Sequence, residues 1–426
     1  MPSMGRSQPR PVVSHKSRGR MSASWDAYLY DPPAELTPLP PASHFTTSRT
    51  LSRTMTIPPP LQLVKSTQFW FSDGNVILVS KPHMGFKVHR GQLARHSDVF
   101  STMFDIPQPP NQPLIDGCPF VELHDNPLDL SHFLKALYDG MYFSGPRAGD
   151  FPVIAGVLRL STKYFVEHLR QQCLQRLQHD WPATLAEWDR REGAATTAEG
   201  QYSPRVYYPH PILVIQLSTE LNIPSIAPAA FYDLARYGPL KILSGIGGIG
   251  AVQESPDQEP QLGLSPMTQD LLVRTFCGRE SGQRYMADFL ARELEDRPVS
   301  KACANRDATL DQADSRRLDA NDCCKSFYYI FLNVIRAIGG IAAGRDADPM
   351  FTLRQATDML NREDFSDGGE DGATCGLKMC GACRGEFEKC VGRAREKAWQ
   401  SIPGWFDVSE TWKSVRSSAE GAPVAW

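Results

Sequence analysis

The chain has 426 residues, 41% hydrophobic and 22% charged, with a formal net charge of −3. That is the composition of a soluble globular protein long enough for two or three domains, each burying its own core. A near-neutral balance excludes a surface built as a whole to hold nucleic acid.

Residues 1–62 are expected to form a disordered tail. The first 60 contain 11 prolines and seven Lys/Arg against three Asp/Glu, with too few large apolar side chains to offset the entropy of ordering. From residue 66 the texture changes. "FWFSDGNVILVS" at 69–80 is two apolar runs around Ser72-Asp73-Gly74-Asn75 and predicts a β-hairpin. A third strand over Phe86–Val88 follows, then a helix capped by Ser97 with Val99, Phe100, Met103 and Phe104 at helical spacing. "PFVELHD" at 119–125 predicts another strand. Helices are predicted after Pro127, after Asp150, and over the stripe Val166, Leu169, Cys173 and Leu177.

Residues 190–204 read as a linker. Beyond them helices are predicted over 211–221, 228–237, 265–295, 321–338, 352–361 and 380–400, with a Gly/Pro-rich loop at 244–263. The most apolar stretch, "FYYIFLNVIRAIGGIAA" at 327–343, carries Asn333, Arg336 and two adjacent glycines. It is therefore expected to be a core helix, with Cys324, Phe327, Phe331, Val334, Ile335 and Ile338 on its apolar face, rather than a membrane span.

Three stretches imitate chemistry. "FKVHRGQLARHSDVFSTMF" at 86–104 holds His89, His96, Ser97 and Asp98. Consecutive residues point in different directions, so Ser97 and Asp98 are expected to serve the helix N-terminus rather than a nucleophilic triad. "GIGGIG" at 245–250 matches a dinucleotide-binding fingerprint in letters, but "AVQESPDQEP" after it cannot form the helix that the motif requires. "DFSDGGEDG" at 364–372 lacks the residue order of a calcium loop.

The chain holds ten cysteines. They lack small-domain disulfide spacing, and no secretory leader precedes them, so a reducing compartment, cytoplasm or nucleus, is expected. "CGLKMCGACRGEFEKC" gathers Cys375, Cys380, Cys383 and Cys390, with Cys323-Cys324 upstream. Four thiolates could hold zinc, and Cys380-x-x-Cys383 has first-pair spacing. No second pair or histidine follows, and Cys380, Cys383, Phe387, Cys390 and Ala394 fall on one helix face. Buried packing, with no metal or other cofactor, is the expectation.

Taken as a set, "FWFSDGNVILVS", "FKVHRGQLARHSDVFSTMF", "PFVELHDNPLDLSHFLKALYDGMYF" and "VLRLSTKYFVEHLRQQCLQRL" resemble a BTB/POZ domain. "WPATLAEWD" and "REKAWQSIPGWFDVSETWKSV" resemble the fungal, basidiomycete-type BTB proteins with a helical C-terminal region. The resemblance implies an α+β fold over 66–182, a short sheet with helices packed on it, followed by a mainly α-helical region over 205–416. It also implies a non-enzymatic interaction scaffold with protein partners, a homodimer through the BTB-like domain. Some BTB proteins are substrate adaptors of cullin ubiquitin ligases and often carry an apolar-x-acidic triplet, for which Leu114-Ile115-Asp116 could serve. No kelch, MATH or zinc-finger module is visible, and "DIPQPPNQPLIDGC" is a Pro-rich insert. Phe69, Trp70 and Phe71 on the first strand, with Phe100 and Phe104 on the helix, are the apolar residues expected to meet a twin subunit; Leu114 and Asp116 are expected to meet a cullin. No small-molecule substrate, membrane or nucleic acid is expected as partner. The alternatives are a transcription regulator with a BTB oligomerisation domain and a cysteine- or zinc-dependent protein using the C-terminal cysteines.

Overall fold

One strand, β2 (Val76–Ser80), is buried at all five residues, which is why VILV is a continuous apolar run rather than an alternating one. The computed structural model describes residues 63–244 (apart from 82, 108–112, 142 and 144), 268–305, 322–338, 348–366 (apart from 364) and 374–408. The expected disordered tail, the 244–263 loop after its first residue, "GIGGIG" and most of "DFSDGGEDG" lie outside the described residues.

Around β2 stand β1 (Val64–Trp70), β3 (Met84–Val88) and β4 (Phe120–Glu122), in the order β1-β3-β2-β4. The expected β1–β2 hairpin does not form. β3 lies between those strands, parallel to β1 and antiparallel to β2. The Ser72–Asn75 turn instead straddles the end of β3: Phe71 N–H donates to the Lys87 carbonyl and Asn75 N–H to that of Val88. The two apolar runs are joined by a crossover, and the hairpin is β2–β3.

Five helices cover one face of this sheet: α1 (Arg90–His96), α2 (Asp98–Asp105), α3 (Pro127–Asp139), α4 (Phe151–Lys163) and α5 (Glu167–Asp180). Val76, Leu78, Phe86, Val88, Leu93, Phe100, Phe133, Leu134, Val157 and Leu158 meet there at 1% exposure or less. α3 starts on Asn126, whose side chain accepts the Leu128 N–H, followed by Pro127 at its first position.

The remaining helices are α6 (Leu185–Ala194), α7 (Pro204–Tyr207), α8 (Pro211–Glu220), α9 (Ala227–Ala235), α10 (Pro239–Ser244), α11 (Gln269–Glu293), α12 (Asp322–Ile338), α13 (Pro349–Asp358) and α14 (Gly381–Trp405), with a short pair β5 (Phe365–Ser366) and β6 (Thr374–Cys375). No described helix is long and apolar enough to cross a membrane. The expected linker at 190–204 is built into the fold. Arg191 and Glu192 are buried, and Tyr202 joins their hydrogen-bond network. On α12 the buried face is Cys323, Phe327, Ile330 and Val334. It is rotated one residue from the expected one, leaving Cys324 half-buried and Ile335 exposed.

α9 is buried at every residue, and it brings charge with it. Asp233 accepts from Arg191 at 2.8 Å, Arg205 at 2.5 Å and Arg236 at 2.6 Å. Arg236 also donates to Glu192 and to Asp348, each at 2.8 Å. Burial would raise the Asp233 carboxyl, but Arg205, Arg236 and Arg191 together hold it well below the ordinary carboxylate range. The Arg191 guanidinium lies among the rings of Trp181, Trp188 and Tyr208, 4.2–4.6 Å from each centroid.

A second core gathers Met286, Phe289, Leu290, Cys303, Cys323, Phe327, Ile330, Leu353, Cys383, Phe387 and Cys390. α14 spans both cores, with Phe387 and Val391 in this one and Ala398, Trp399 and Ile402 in the first. α11 crosses close by. A Cβ at Gly278 would lie 1.9 Å from the Phe406 ring, so only glycine fits there.

Three outcomes follow for stability. Asp233→Ala strands buried guanidiniums and should cost about 3–5 kcal/mol in urea denaturation. Gly278→Ala should cost about 1–3 kcal/mol through overpacking against Phe406. His210 caps α8, its Nδ1 accepting the Ile212 N–H, and it stacks on Tyr237. Burial, with Arg205 second, pushes its pKa from 6.5 down to about 4. Since the folded state resists protonation, the contribution is present above about pH 6.5 and is lost as pH falls toward about 4. The slope of urea midpoint against pH over that window should flatten in His210→Asn, which retains a capping oxygen and does not titrate.

Candidate functional site

β1 forms an edge of the sheet, and its outer side pairs with no strand among the described residues. Val64 on it is 59% exposed. Lys65 beside it reaches Asp116 at 2.6 Å and lies 4.6 Å from the centroid of the Trp70 ring. Asp116 sits in a tight turn. Ile115 and Cys118 exchange two backbone hydrogen bonds, and Asp116 and Gly117 between them take φ of 48° and 72°. Asp-Gly with both φ positive is the signature of a primed two-residue hairpin turn. The turn carries Ile115 and Cys118 under the sheet against Ile77 and Val79, and leaves Leu114 exposed.

Of the residues expected to meet partners, Trp70 and Asp116 are joined through Lys65, and exposed Leu114 leads into the Asp116 turn. Phe69 and Phe100 do not present themselves. At 4% and 0% exposure they face the main core, because β1 and α2 turn those positions inward. Phe71 is half-buried and stacks on Tyr138. Phe104, also half-buried, lies beneath the Arg90 guanidinium.

The Ser/His/Asp stretch is spent on structure. The Ser97 hydroxyl accepts the Phe100 N–H at 3.1 Å and donates to the Tyr164 carbonyl at 2.6 Å. His89 meets the Tyr138 hydroxyl through Nδ1 and Asp73 through Nε2. The His96 ring lies tilted beside that of His168, with centroids 5.1 Å apart, and burial lowers its pKa first, His168 second.

The cysteines part company. Cys383, Phe387 and Cys390 are buried along one face of α14, as the spacing predicts. Cys390 turns to Glu293 and Arg297. The side chain of Cys375 lies outside the described residues. Cys380, the residue before α14, meets Cys383, Cys323 at the start of α12, and Cys303 in the turn after Ser300; the four sulfurs lie within 4.8 Å of one another. Cys303 was missed in the sequence, since it stands alone in "KACAN" with no partner at a recognisable spacing. The Cys383 backbone N–H is the main influence drawing the Cys380 thiol down to about 6, whereas burial pushes the Cys323 and Cys383 thiols up.

No curated protein matches the chain. The family model of the BTB/POZ domain matches residues 69–180, which span the strands β2–β4, the end of β1 and helices α1–α5. Residues 69–180 are a BTB/POZ domain, a small sheet covered by helices, and a largely helical C-terminal region follows it.

Proposed function

We propose that the protein is a non-enzymatic scaffold that self-associates through its BTB/POZ domain and docks a further protein there, as a cullin adaptor does. BTB domains are in general protein-interaction modules that often dimerise, and the BTB/POZ match at 69–180 is the observation that carries the reading. The surface supports it. β1 offers an open sheet edge with Val64 exposed, a geometry suited to pairing with a second copy. Leu114 and Ile106, exposed at 59% and 58%, stand at the two ends of the Pro-rich insert as apolar anchors for a partner. The triad-like residues of 86–104 are engaged in capping and packing: Ser97 caps α2, His89 meets Tyr138 and Asp73, and His96 lies beside His168.

Two outcomes test this. Light scattering on the full chain should give twice the chain mass, and Val64→Glu, at an exposed position, should weaken the dimer at least about tenfold. A wild-type chain that stays monomeric across the accessible concentrations would contradict self-association. The purified N-terminal region of a cullin should bind the full chain, and Leu114→Glu should reduce binding by about tenfold or more. Absence of wild-type binding would end the adaptor reading and leave the scaffold reading standing.

A further inference from the structure

Cys303, Cys323, Cys380 and Cys383 come from three separate places in the chain and converge on one point. Cys303 Sγ lies 3.7 Å from Cys323 Sγ and 3.7 Å from Cys380 Sγ, and all four sulfurs fall within 4.8 Å of one another. A zinc ion bound tetrahedrally by sulfur at about 2.3 Å sets its ligands about 3.8 Å apart. Two disulfides would instead need sulfurs at about 2.05 Å, and all four residues are free cysteines. A polynuclear iron–sulfur cluster would hold its four thiolates farther apart than this.

The surroundings are those of sulfur acting as an acceptor. Ser300 N–H points at Cys383 Sγ and Cys380 N–H at Cys323 Sγ, each at 3.3 Å, and Asn305 Nδ2 reaches Cys323 Sγ at 3.5 Å. Such donors orient and stabilise thiolate ligands from outside the coordination shell. Cys380 and Cys383 take the two-residue spacing that a chain entering a helix gives its first ligand pair. The other two ligands arrive from the turn after Ser300 and from the first turn of α12.

We infer that Cys303, Cys323, Cys380 and Cys383 form a closed, four-thiolate structural zinc site that fastens the second core. With all four positions taken by protein, the site leaves no place for a substrate, so its role is in folding. The second core is small, and residues 297–303 enter it without regular secondary structure, which is the situation in which a metal contributes most. This replaces the expectation of plain cysteine packing for Cys380 and Cys383. It retains that expectation for Cys390, which lies against Glu293 and Arg297.

The test uses the full chain purified without chelator. Elemental mass spectrometry should find about one zinc per chain. Cobalt(II) added to the reduced, metal-stripped protein should give the intense visible bands of tetrahedral thiolate ligation, saturating near about one equivalent. Cys303→Ser and Cys380→Ser should lose both signals, while Cys390→Ser and Cys277→Ser keep them. Alkylation of the wild-type chain provides a readout that needs no variant to fold. The exposed Cys277 should label at once, and the four clustered thiols only after a chelator is added. Less than about a tenth of an equivalent of zinc with no cobalt bands, an equivalent of iron in its place, a disulfide among the four, or labelling unaffected by chelator would overturn the inference.

Discussion

The buried charge network around Asp233 is the constraint on which the rest of the structure turns. Three guanidiniums, Arg191, Arg205 and Arg236, face three carboxylates, Glu192, Asp233 and Asp348. Taking such groups out of water costs several kcal/mol per ion, and only a complete, well-oriented set offsets that cost. Completing it requires α6, α7, α9 with its C-cap Arg236, and the residue capping α13 to arrive together. Arg191 also donates through Nε to the Asp180 carbonyl at the end of α5, so the last helix of the BTB/POZ domain is tied to the same network. The helical region is therefore joined to the N-terminal domain by a condition, since any other packing would leave buried charge unpaired.

α14 extends this arrangement. Arg395 takes Asp189 bidentately at 2.6 and 3.1 Å, and the Trp399 indole N–H donates to the Ala183 carbonyl at 2.8 Å. Its other end carries Cys383 and Phe387 into the second core. One helix thus anchors on α6 and delivers thiols to the cluster.

Much of the fold was legible because local rules and tertiary structure agree. Ser97 and Pro127 mark helix starts, and the stripe Leu169, Cys173, Leu177 marks the buried face of α5. The β1–β2 hairpin misled because a Ser-Asp-Gly-Asn turn specifies a reversal but not which strand fills the space beside it. The Asp116-Gly117 turn is a strong local signal that the neighbouring prolines of the insert mask. The apparent linker misled because Arg191 and Glu192 look solvated in sequence. Their long-range partners, Asp233 for Arg191 and Arg236 for Glu192, lie 42 and 44 residues away, and no spacing announces them. The thiol cluster was half legible: Cys380 and Cys383 share a motif, but Cys303 and Cys323 meet them only through the fold.

Interaction through the BTB/POZ sheet edge is the central claim, and Lys65 on β1 reports on it directly. Cross-linking of the full chain with a short lysine-reactive reagent, followed by mass spectrometry on a mixture of isotopically light and heavy protein, distinguishes links between copies from links within one. A Lys65–Lys65 link, which can form only between two chains, together with mixed light–heavy pairs, is the predicted result. Lys65 cross-links confined to single chains, in protein concentrated enough to associate, would contradict it.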